Sequence, residues 1–193
     1  CCPPNLQRIL ASLPGYFYAT AKDGLYVNFY HNSDMNWRLE DGTPLRVTQS
    51  TGYPWTGGVT LTVSPAAEKE FTVYARIPQW SATTTASVNG TSSGKPRAGE
   101  YLAIKRRWKA GDRLELKFDM APTLIAANPQ VIENNGKVAV LRGPLVYCLE
   151  QIDQRSQVAD LLFSNPAKGF DALFQKDLLG GIELLKHEGA AYI

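Results

Sequence analysis

The sequence predicts a mainly β protein, an antiparallel β-sandwich preceded by one short helix, and three observations lead there. From Tyr16 onward, runs rich in β-branched and aromatic residues alternate apolar and polar positions. Turn dipeptides separate them: Asp23-Gly24, Asp41-Gly42, Asn89-Gly90 and Asn135-Gly136 are expected to supply the positive φ of tight hairpins. No intervening segment is long enough for the crossover helices that a parallel sheet needs.

Taken in order, Asn5 is expected to cap a helix whose Leu6, Ile9, Leu10 and Leu13 fall on one face, and Pro14-Gly15 ends it. Two turns of helix are marginal alone in water, so this stripe must pack on something. The predicted strands are 24–30, 45–50, 59–63, 71–77, 86–90, 101–105 and 113–118, with Gly111-Asp112 turning into the last. The first sandwich is expected to close near Met120, and 121–130, with Pro122 and Asn128-Pro129, reads as a linker or crossing strand. A second group follows at 137–142 and 145–149 across Gly143-Pro144. Residues 158–163 read as a strand, 165–176 as irregular, and 181–185 as a strand. The domain division that results is 1–20, 21–120 and 121–193, the last β-rich and expected to be truncated at the strand start Ala191-Tyr192-Ile193.

Composition narrows the function. With 193 residues, 44% hydrophobic and 20% charged, the chain can bury a core. Twenty basic against 18 acidic side chains leave +2, too balanced and dispersed for a nucleic-acid or membrane-surface partner. The basic run Lys105-Arg106-Arg107 reads as a solvated strand end beside the core aromatic Trp108. No apolar run approaches the roughly 20 residues of a membrane span. Three cysteines, two of them adjacent, make no secreted disulfide framework and assign no compartment, and Cys148 reads as a small buried hydrophobe.

The densest chemistry is Cys1-Cys2. Adjacent cysteines do not bridge readily, because neighbouring Cα atoms are about 3.8 Å apart and disulfides prefer about 5.5 Å. That leaves thiol or metal roles, yet a zinc site needs about four donors and His31 and His187 lie far off without metal-like spacing. A glycosidase needs two groups flanking the anomeric carbon, one to protonate the leaving oxygen and one to attack or to activate water. Glu133, Glu150, Glu183, Asp112 and Asp119 show no pairing and read as solvent-facing charge. Tyr53 and Trp55, in the loop 52–58, and Trp80 are candidate sugar-stacking aromatics, or else pins that hold loops to the core. The start on reactive residues reads as a cut edge of a larger protein.

Seven strings then combine. Cys1-Cys2-Pro3-Pro4-Asn5, Asp23-Gly24-Leu25-Tyr26-Val27-Asn28, Tyr53-Pro54-Trp55, Arg76-Ile77-Pro78-Gln79-Trp80, Val88-Asn89-Gly90, Arg107-Trp108-Lys109-Ala110-Gly111-Asp112 and Leu141-Arg142-Gly143-Pro144-Leu145-Val146-Tyr147 resemble, in order, the C-terminal part of glycoside hydrolase family 127, the β-L-arabinofuranosidases. The resemblance implies that residues 1–20 are left over from a catalytic (α/α)6 barrel and that the rest is sandwich packing on it. It also implies a retaining mechanism in which Cys1 is the nucleophile and Cys1 and Cys2 bind zinc. The family's other zinc ligands, a glutamate and a cysteine, and its glutamate acid precede this pair and are absent from the sequence. The larger protein is therefore expected to use zinc and to act on L-arabinofuranosides or related sugars, while these 193 residues alone are expected to be structural, metal-free and inactive. The alternatives are a carbohydrate-binding module using Tyr53, Trp55 and Trp80, or a purely structural domain with a second copy as partner in a homodimer.

Overall fold

Helix α1 runs from Cys2 to Ser12 and tightens into a 3-10 turn over Leu13–Tyr16. It starts earlier than an Asn5 cap predicts because Pro3 and Pro4 fit the first turn, where their missing N–H groups have no intrahelical acceptor. Asn5 Oδ1 instead accepts a hydrogen bond from Arg8 Nη1 at 3.2 Å. The computed structural model describes residues 2–163 and 169–191, and the chain divides into two units, Cys1–Asp119 and Met120–Ile193.

The first unit is a β-sandwich. One sheet orders β1 (Tyr18–Ala21), β2 (Gly24–Val27), β6 (Lys69–Arg76) and β9 (Tyr101–Trp108) as β1-β2-β6-β9. The other is built from β3 (Ser33–Arg38), β4 (Pro44–Thr51), β5 (Gly58–Pro65), β7 (Thr85–Val88), β8 (Thr91–Ser92) and β10 (Asp112–Lys117), in the order β3-β4-β5-β10-β7-β8. β1 and β3 were missed by the period-two reading, since Tyr18-Ala19-Thr20-Ala21 is short and Ser33 to Arg38 is mostly polar. Neighbours are antiparallel except β2 and β6, which run parallel after the chain has laid β3, β4 and β5 in the opposite sheet.

That parallel pair corrects the reading of Asp23-Gly24. Gly24 does not have positive φ; a Cβ on it would lie 1.9 Å from the Thr72 carbonyl oxygen, so glycine is required by the close approach of β6. Asn89 and Gly90, at φ 50° and 78°, do turn the β7–β8 hairpin, with Val88 opposite Thr91. Alternation buries Leu45 and Val47, Val59, Leu61 and Val63, and Leu114 and Leu116 from one sheet against Leu25, Val27, Val73, Ala75, Leu102 and Ile104 from the other. Each fully buried aliphatic stabilises the fold by about 1.5–3 kcal/mol. Trp108, fully buried, donates its Nε1–H to the Phe71 carbonyl at 3.1 Å.

In the second unit, β11 (Pro122–Ala126), β12 (Val138–Arg142) and β13 (Leu145–Tyr147) form an antiparallel sheet. β14 (Leu161–Leu162) pairs with β17 (Ala190–Ala191), and β15 (Asp171–Gln175) with β16 (Ile182–Lys186). The expected strand 158–163 is instead a 3-10 turn at Val158–Asp160 leading into the two residues of β14. The stretch expected to be irregular contains β15; its residues 165–168, like Tyr192 and Ile193, lie outside the described residues. Asn135-Gly136, φ −62° then +75°, makes a type II turn closed by Lys137 N–H to Asn134 O at 3.1 Å, not a hairpin turn. Cys148 is exposed, not buried, because β13 stops at Tyr147 with Val146 already turned outward. Among the described residues, every fully buried hydrophobic side chain belongs to the first unit.

Candidate functional site

The thiols come first, since the sequence put the chemistry there. Cys1 lies outside the described residues, so its expected role has no geometry here. Cys2 opens α1 and is exposed. The whole helix is exposed, including its apolar stripe: Leu6, Ile9 and Leu10 show 60%, 54% and 62% of their surface.

Metal donors do not converge. Among the described residues no three of His, Cys, Asp and Glu are placed to hold a metal ion. His31 Nδ1 sits 3.3 Å from the Asn32 carbonyl and its ring stacks on Phe17, while His187 donates to Gly169 O at 2.6 Å between Phe163 and Phe170. The two adjacent thiols fall short of four donors, so this chain's residues do not by themselves fit a zinc site.

Two of the expected solvent-facing carboxylates are not in solvent. Asp112, at the start of β10, is buried because it ties the β9–β10 turn: it accepts from Lys109 N–H at 3.0 Å and Asn89 Nδ2 at 2.9 Å, and Arg106 lies 3.4 Å away. Burial opposes its ionisation, but those donors and the charges of Arg106 and Lys109 outweigh it and hold the carboxyl below the usual range. Glu183, 16% exposed, faces Arg142 at 3.8 Å. Asp119 is half-buried and accepts from Thr83 Oγ1 at 2.8 Å. Glu133 and Glu150 are exposed.

The three candidate stacking aromatics are half-buried. Tyr53 and Trp80 rest on the core, with Trp80 stacked beside Tyr53 at 6.4 Å and both edge-on to Phe118. Thr51 Oγ1 accepts from Tyr53 N–H at 3.0 Å and donates to Gly58 O at 2.6 Å, which closes the loop that carries Tyr53 and Trp55. These contacts suit a pin as well as a platform, and they occupy much of the ring surface of Tyr53 and Trp80.

Sequence reasoning missed an aromatic row on the outer face of the four-stranded sheet. Tyr26 and Tyr74 stack at 4.2 Å and 9°, and Tyr101 meets Tyr26 edge-on at 5.1 Å. Tyr74 hydroxyl donates to Asp23, Tyr101 hydroxyl to Asn28 Oδ1 at 2.7 Å, and Arg76 Nε to Asn28 O at 2.7 Å. Alternation in the sequence already turned Tyr26 and Tyr74 away from Leu25 and Val73; only the parallel β2–β6 register, with Tyr26 opposite Tyr74, brings them together.

Comparison with known proteins adds a frame. Residues 24–120 match the family model described as β-L-arabinofuranosidase, GH127 middle domain, and residues 122–178 match the glycoside hydrolase family 127 C-terminal domain. The non-reducing end β-L-arabinofuranosidase of Bifidobacterium longum subsp. longum is 39% identical over 196 residues, covering 95% of this chain and 28% of that protein. The crystal structure of a GH127 β-L-arabinofuranosidase from Geobacillus stearothermophilus T6 superposes with a TM-score of 0.88 at 41% identity, over 96% of this chain and 29% of that one. A second GH127 β-arabinofuranosidase structure gives 0.90 at 36%, over 99% and 32%. The chain thus spans under a third of the length of these relatives.

Proposed function

The chain belongs to glycoside hydrolase family 127, as its middle and C-terminal domains, and on that footing we propose that it is the non-catalytic β-sandwich region of a retaining glycosidase acting on L-arabinofuranosides or related sugars. The observation that carries the proposal is the segregation of structure from chemistry. Among the described residues the buried core lies between Leu25 and Phe118, whereas Cys2 stands outside it, at the start of an exposed helix.

In the larger enzyme, Cys1 attacks the anomeric carbon as a thiolate, the leaving oxygen takes a proton from an acid outside this chain, and water hydrolyses the thioglycoside with net retention. Cys1 and Cys2 are assigned to zinc in that larger protein on the family resemblance alone; the donors within these 193 residues do not complete a site, and no step here runs through the metal. Residues 1–20 are assigned to the catalytic barrel and the sandwich to packing against it. The test is direct: the isolated 193 residues, incubated with a β-L-arabinofuranoside, release no L-arabinose. Release above a protein-free blank overturns the proposal. In the full-length enzyme Cys1→Ser abolishes turnover, and retention of more than a few per cent of activity overturns the assignment of the nucleophile.

A further inference from the structure

We propose a second carbohydrate-binding site, separate from the thiols, in the cleft between edge strands β1 and β3. These strands end two different sheets, and between them opens a cavity of about 400 Å³. That is within the roughly 300–1,000 Å³ of small-ligand pockets. Its floor is Leu25 and Leu45, and Trp37 stands in its wall. In the β3–β4 register Trp37 lies opposite Leu45 and shares a strand face with the core-packed Met35. Leu45 is 2% exposed, yet Trp37 is 50% exposed. An indole on the core side of a strand is left uncovered only because the cavity lies over it.

The rim selects the ligand. Lys22, Arg38 and Glu40 line the opening, and neither Lys22 nor Glu40 forms an ion pair among the described residues. Arg38 spends one nitrogen on the Gly42 carbonyl at 3.1 Å and keeps the rest of its fork. An apolar peptide side chain would leave three charges uncompensated, and a phosphate would meet the Glu40 carboxylate. A neutral sugar satisfies all three observations: its C–H face lies on the Trp37 ring, and its hydroxyls donate to Glu40 and accept from Lys22 and Arg38. Choosing a sugar of the arabinose class as ligand rests on the function proposed above, while the cleft itself does not.

The test follows the backbone amide resonances of the cleft residues Ala21, Lys22 and Glu40 by NMR in the 193-residue chain during titration with short arabino-oligosaccharides. The expected result is a saturable shift at millimolar ligand, lost in Trp37→Ala and weakened at least fivefold in the rim variant Glu40→Gln, with both variants keeping the wild-type circular dichroism. Absence of a shift, an equal response in both variants, or an equal response to inorganic phosphate overturns the proposal. A shift that depends on protein concentration without ligand overturns it in favour of a second copy adding to the open edge. Because the readout is binding and not hydrolysis, its failure leaves the non-catalytic assignment standing, and arabinose release would sink that assignment without touching this one.

Discussion

Replacing Gly24 with alanine separates the two physical reasons for a glycine after an aspartate. At Gly42 the reason is conformation: φ is +84° and a Cβ would meet nothing within 4 Å. At Gly24 it is space. The added Cβ would sit 1.9 Å from Thr72 O and 2.8 Å from its carbonyl carbon, against ordinary contact from 3.4 Å, so something must yield by about 1.5 Å, 3.4 minus 1.9. That is about a third of the ~4.8 Å spacing between paired strands. Yielding that far loosens the bond from Thr72 N–H to Asp23 O, 2.9 Å long, and the start of the β2–β6 ladder beside the buried Leu25 and Val73. Two lost backbone bonds at about 1 kcal/mol each, with about 1–3 kcal/mol of overpacking, make Gly24→Ala destabilising by about 3–5 kcal/mol. Gly42→Ala costs only the left-handed strain, about 1 kcal/mol. Urea unfolding followed by tryptophan fluorescence measures both, since all four tryptophans, Trp37, Trp55, Trp80 and Trp108, lie in the first unit. A Gly24→Ala loss below about 0.5 kcal/mol, or below that of Gly42→Ala, would refute the close approach and with it the parallel pairing.

Asp112→Ala is expected to cost about 2 kcal/mol by stranding the Lys109 N–H and the Asn89 amide, measured in the same urea assay. Because the folded carboxyl is held below its ordinary value of 3.8, its contribution is present above that pH and lost as pH falls through the lowered value. Asp112→Asn should therefore flatten the acid limb of stability below about pH 4, and an unchanged limb would count against the network. Trp80→Ala should destabilise the sandwich by about 2–3 kcal/mol, less than a fully buried tryptophan would, by removing the ring packed on both Tyr53 and Phe118; a loss of sugar affinity with unchanged stability would instead favour a platform. Leu10→Lys should reduce any self-association of the isolated chain in light scattering, and an unchanged mass at high concentration would show that the helix stripe does not drive it.

The sandwich was legible because its strands state their burial in period two: Val59, Leu61 and Val63 point inward and Thr60 and Thr62 outward, as their sequence alternates. β1 and β3 were not legible because edge strands bury little and so carry little pattern. The same loss explains Trp37, whose cleft exists only once β1 and β3 are placed at the ends of two sheets. Asp23-Gly24 misled because proximity to Thr72 joins residues 48 positions apart, 72 minus 24, and local chemistry cannot encode it. Asp112 was missed for a similar reason, since Asn89 reaches it from the β7–β8 turn. The alternation of Tyr26 and Tyr74 was readable, but their stacking needed the register.

Helix α1 joins the packing argument to the chemical one. An 11-residue helix is marginal in water, and Leu6, Ile9 and Leu10 are each more than half exposed along it. Under the proposed function the cover is the catalytic barrel, and burying that stripe both stabilises the helix and fixes the orientation of Cys2 at its first position. Thiol reactivity depends on a held electropositive setting, which a fraying helix end does not provide. The setting of Cys2, and with it that of the neighbouring nucleophile proposed at Cys1, is then contingent on packing two turns away: a polar residue at Ile9 or Leu10 in the full-length enzyme should lower turnover without touching a reacting atom, and the same change in the isolated chain should leave the sandwich's urea midpoint where it was.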